Sequence, residues 1–141
     1  MRAFLLSAIL FLGLSANAGT VTTLLTCSPA VDRPDSGFSV NVDSHFGARV
    51  GVPPDQQTVI IANIWEQSIA GPRPVDSFQV KEVQPPKGIV GGSVSYRGPQ
   101  FILQLETDGT PRPDKKIPAT LDAKSREGQT LRQDLLCTRG S

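Results

Sequence analysis

The chain is poor in the residues that carry most protein chemistry. Its 141 residues include one histidine, one tryptophan, one tyrosine and two cysteines, and aromatics make up 6%. A zinc site would have to draw on Cys27, Cys137 and His45, with no evident fourth ligand and none of the usual spacing. No closely spaced cysteine pair suits a redox enzyme. An excess of one charge sign is missing too: 14 Lys+Arg face 13 Asp+Glu, which excludes the basic stripe of a nucleic-acid binder. There is no Gly-x-Ser-x-Gly elbow, phosphate loop, dinucleotide fingerprint or calcium loop, so no cofactor is expected. Helical periodicity is scarce, which argues against a bundle or a coiled coil.

Long apolar runs are absent as well. The longest, Ala3 to Leu14, is about 12 residues, against roughly 20 for a membrane-crossing helix. With Arg2 before it and Ala16-Asn17-Ala18 after it, the run reads as a secretory signal peptide. Residues 1–18 are expected to be removed by cleavage after Ala18, leaving 19–141 as one secreted or periplasmic domain without a transmembrane segment. A lipid anchor on Cys27 is the weaker alternative. Polar Gly19 to Thr23 separates that cysteine from the apolar run, and the residue before it is Thr26 rather than a small one. Loss of Arg2 brings the remaining charge to zero and supplies no long-range steering toward phosphate or anionic lipid.

What the chain has is turn chemistry, with 13 Gly and 12 Pro between short apolar runs. Phe38, Val40 and Val42 alternate with Ser39, Asn41 and Asp43; Phe101, Leu103 and Leu105 alternate with polar partners. Thr58 to Glu66 is apolar on both parities and predicts a central strand covered on both sides, with Trp65 in the core. Further strands are expected at Thr20 to Cys27, Ala48 to Val52, Phe78 to Val83, Ile89 to Tyr96, Ile117 to Ala123 and Gln129 to Cys137. The last could also be a helix, since Leu131 and Leu135 are four apart. A spacing of roughly ten residues reads as an all-β fold: a small antiparallel β-sandwich or β-barrel of about eight strands.

Cys27 and Cys137 each close a short apolar segment, Leu24-Leu25-Thr26 and Leu135-Leu136. In an oxidising compartment they pair only with each other within one chain, which predicts a disulfide between the first and last strands.

Few residues suggest a functional site. His45 has Asp43 two positions earlier, but Phe46-Gly47 reads as a turn and no nucleophile is identifiable, so no catalytic residue is assigned. Glu66, Glu82 and Glu106 read as solvent-facing strand positions. Tyr96 and Arg97, beside the Gly98-Pro99 turn, are the candidate interaction surface. The functional expectation is an exported, non-catalytic, monomeric binding or interaction module of the cell envelope, its partner a protein, glycan or small molecule. One alternative is a small apolar-ligand carrier with a barrel interior, favoured by Gly91-Gly92 and the alternating strands. Another is a small hydrolase using His45.

Overall fold

The computed structural model describes residues 19–30, 37–47, 50–85, 93–106 and 115–140. The expected signal segment 1–18 and Gly91-Gly92 lie outside these residues.

Eight strands follow one another: β1 (Thr20–Pro29), β2 (Phe38–Phe46), β3 (Thr58–Glu66), β4 (Arg73–Val83), β5 (Ser95–Gly98), β6 (Phe101–Leu105), β7 (Ile117–Lys124) and β8 (Thr130–Arg139). Each pairs antiparallel with the next, and β8 returns to β1, closing a barrel. Of the two architectures left open by the sequence, the barrel is the one formed. The segment after Gln129 is strand, not helix.

Alternation decides which face turns inward. In β7, Ile117, Ala119, Leu121 and Ala123 are buried while the residues between them are exposed. The small and large members are matched across strands: Ala119 opposes Leu135, and Ala123 opposes both Leu131 and Phe101. A narrow interior closes without voids when bulky residues meet small ones. Leu25, Val40, Val42, Ile64, Leu103, Leu105 and Leu121 complete the filling, each at most 1% exposed.

The disulfide forms as expected. Cys27 and Cys137 are register partners with Cα atoms 3.9 Å apart, and both are fully buried. They are the middle pair of the short β1–β8 ladder, which runs from Leu25–Arg139 to Pro29–Leu135. The bond therefore clasps the barrel where chain ends meet. Gly140 is needed at the same place: a Cβ there would lie 1.7 Å from the Thr23 carbonyl oxygen. Its N–H donates to the Leu24 carbonyl at 2.9 Å and prolongs the closure.

Four expectations are corrected. Thr58–Glu66 is not covered on both faces. Ala62 and Ile64 point into the barrel, whereas Val59, Ile61 and Trp65 lie half-buried on the outside. A closed barrel has one interior and no second sheet to cover the other face. Trp65 is thus an outer-wall residue beside Ser39 and Pro74, and its Nε1 is buried without a hydrogen-bond partner. Val50 to Val52, expected as strand, form a turn ahead of a 3-10 helix at Pro54–Gln56, because Gly51 adopts φ 81°. Finally, β2 runs on through Phe46, one residue into the expected Phe46-Gly47 turn.

Candidate functional site

Tyr96 is not at the surface. It faces inward opposite Leu103, is 6% exposed, and its hydroxyl donates to Glu82 Oε2 at 3.2 Å. Burial, and then the Glu82 carboxylate, push its pKa up to about 12, while the Arg139 guanidinium acts in the opposite direction. Arg97 next to it does face solvent, with Nε donating to Ser95 Oγ at 3.0 Å. The two residues expected to share a surface lie on opposite faces of β5, as neighbours in any strand must.

His45 is exposed on the outer face of β2, between Val21 and Val59. Asp43 is on the same face because the strand stays extended. Its carboxylate is occupied elsewhere, accepting from Thr23 Oγ1 at 2.9 Å and Asn63 Nδ2 at 3.3 Å. Ser77 Oγ donates to Asn63 Oδ1 at 2.7 Å, so one polar belt crosses β1 to β4. The arrangement supports the wall and gives His45 no orienting acceptor. Glu66 pairs with Arg73 across β3 and β4, and Glu82 takes the Tyr96 proton donor, so these carboxylates have separate structural partners. Among the described residues no three His, Cys, Asp or Glu side chains gather as metal ligands.

A different region is concave. β4 has eleven residues and β5 only four, and the two pair only over Lys81–Val83. Below that, β4 keeps β3 on one side and loses its strand neighbour on the other. Two turns fill part of the breach: Pro99-Gln100 between β5 and β6, and Ser125 to Gln129 between β7 and β8. Asp76 stitches the second turn to β4. Its carboxylate, 8% exposed, accepts the Ser77 N–H at 2.8 Å and the Arg126 N–H at 2.9 Å, with Arg126 Nε at 3.4 Å. Gly98 allows β5 to end against β4, since a Cβ would stand 2.6 Å from the Gln79 carbonyl oxygen.

Between these parts lies an open hollow of about 470 Å³. Phe78 forms part of its lining and packs against Phe101 with ring centroids 5.3 Å apart. Pro99, Gln100, Lys124 and Arg126 complete the rim. A second hollow of about 380 Å³ adjoins it and shares Pro99, Gln100 and Lys124; Ile102, Asp122 and Arg132 lie along it. Asp122 is engaged by Arg132 Nη2 at 3.0 Å, whereas Lys124 has no carboxylate partner among the described residues.

Sequence reasoning missed Phe78, Lys124, Arg126 and Arg132. A signal existed in the distribution of charge: β1, β2 and β3 contain no Lys or Arg, so the basic strand residues all lie in the other part of the barrel. The disulfide is compatible with an extracellular or periplasmic location. Among the described residues no helix is long and apolar enough to cross a membrane. The chain matches no protein-family model, no curated protein and no solved structure.

Proposed function

We propose that the protein is an exported, non-catalytic interaction module of the cell envelope, and that it engages its partner at the breach beside β4. The observation that carries this reading is the hollow itself: a half-buried aromatic lining, Phe78, under a rim that holds Lys124 and Arg126. Apolar surface with a few directed polar groups is the usual composition of a recognition site. Export is supported by the signal-like residues 1–18 together with the buried disulfide. The carrier reading has less to draw on, since the described inward positions are taken up by buried side chains such as Leu25, Ile64, Leu103 and Leu121. The hydrolase reading would require partners for His45, and Asp43 is committed to Thr23 and Asn63.

A photo-crosslinking residue at Gln100, compared with one at Thr26 on the far wall, tests this in living cells. A defined adduct at Gln100 without one at Thr26 supports the proposal. Identical adducts at both positions, or none at either, would refute it.

A further inference from the structure

Resting on that reading, we propose that the breach binds an acidic, extended segment of a partner protein, with one apolar side chain against Phe78 and carboxylates against Lys124 and Arg132.

The charge distribution selects the sign. On this side of the barrel Lys81 and Arg97 are register partners, and Lys124, Arg126 and Arg132 follow around the two hollows. Among the residues that line the hollows, Lys124, Arg126 and Arg132 face one carboxylate, Asp122, which Arg132 already binds, and Asp76 beneath them binds Arg126; Glu82, beside Lys81, and Glu127, beside Arg126, are not part of the lining. Lys124 sits where the hollows meet and faces no carboxylate among the described residues. A ligand bridging the hollows therefore meets net positive charge, which favours acidic groups and speeds their encounter.

The hydrogen-bonding state of β4 selects the mode. An exposed strand edge normally invites a peptide to add as a further strand. Here the Ser77 N–H is already taken by Asp76, so a ladder along β4 is interrupted at its centre. Recognition must come from side chains placed in the hollows. The apolar part then excludes a bare polyanion as the best fit. The larger hollow presents more carbon than polar surface, around Phe78 and Pro99, and a sulfated glycan or polyphosphate would leave that surface uncovered. An extended chain with alternating apolar and acidic side chains places one kind downward and the other along the basic rim.

The oxidised exported protein should bind a fluorescein-labelled peptide of alternating leucine and glutamate. Replacing its glutamates with lysine, or its leucines with serine, should weaken binding about tenfold or more. Lys124→Glu in the protein should do the same without lowering the melting temperature, because Lys124 is exposed. Raising the salt should weaken binding, as expected of solvent-facing charge pairs. Unchanged affinity of Lys124→Glu would overturn the proposal. So would equal binding of heparin fragments or of an all-glutamate peptide, which would make the breach a general anion site. If Gln100 crosslinks a defined partner and the peptide fails to bind, the partner chemistry is wrong and the interaction module stands. Absence of any adduct at Gln100 removes both.

Discussion

Two walls of the barrel are built by different means. On one side β1, β2 and β3 have 10, 9 and 9 residues and are laced by long backbone ladders. On the other β5 and β6 have 4 and 5 residues, and a side chain stands in for part of the ladder: Asp76 receives the Ser77 N–H of β4 and the Arg126 N–H of the β7–β8 turn. The long wall meets its backbone hydrogen-bonding requirement internally and presents a continuous outer surface crossed by the Thr23–Asp43–Asn63–Ser77 belt. The short wall leaves a gap that exposes part of Phe78 and gathers cations around it. A closed barrel removes sheet edges only where its strands are of comparable length. A shortened strand restores an edge locally and provides a place for recognition without disturbing the filled interior.

The long wall depends on its closure, and the largest expected effect is there. The Cys27–Cys137 bond closes a loop of 110 residues, for which the chain-entropy argument gives roughly 4–5 kcal/mol. Replacing both cysteines with alanine should lower the denaturation midpoint accordingly. A midpoint that stays put would mean that the β1–β8 ladder holds the chain ends together without the bond.

Asp76→Ala strikes the short wall. It leaves the Ser77 and Arg126 amides without their acceptor, at about 1 kcal/mol since water reaches both residues. Amide exchange should quicken at Ser77 and Arg126 while amides in the β1–β8 ladder keep their protection. If both walls loosen together, the barrel behaves as one cooperative unit and the contrast drawn between them fails.

Tyr96 reports on the barrel interior near the short wall by its proton. It is the chain's one tyrosine, so ultraviolet titration of tyrosinate reads it directly. Its pKa rises from 10.0 to about 12, so the folded state holds the phenolic proton more tightly than the unfolded chain. The associated stabilisation is complete below pH 10 and is lost as pH climbs from 10 to about 12. Glu82→Gln should lower the pKa without returning it to 10.0, because burial is the larger cause. A midpoint near 10.0 in the folded wild type would show the phenol to be solvated.

Much of this architecture is legible in the sequence, for reasons that also mark where legibility ends. Phe101, Leu103 and Leu105 reveal β6 because period two is a local property, and the two cysteines reveal the closing strands because only one pairing exists within the chain. Trp65 misleads because β3 is apolar on both parities, and only the closed interior decides that Ala62 and Ile64 go inward. Tyr96 misleads because a turn-flanking aromatic looks exposed until its register with Leu103 is known. The breach has no local signature. It arises from the unequal lengths of β4 and β5, and it joins Phe78 to Lys124 across 46 positions of sequence.

The smallest expected effect concerns His45, and it separates the two walls by function. His45→Ala should change stability by no more than about 0.5 kcal/mol, since the ring is exposed and makes no hydrogen bond among the described residues. It should also leave crosslinking at Gln100 and peptide binding unchanged, because His45 lies on β2 while the breach lies between β4, β5 and β7. A general base must reach its nucleophile and be oriented by a third group. The nearest acidic residue on its face, Asp43, spends its carboxylate oxygens on Thr23 and Asn63. A hydrolase would respond differently, losing about 10²-fold or more in rate when such a base is removed. Should a hydrolytic activity be measured and vanish in His45→Ala with the fold intact, the long wall would be the functional one, and the breach beside β4 would be reduced to a structural consequence of a short strand.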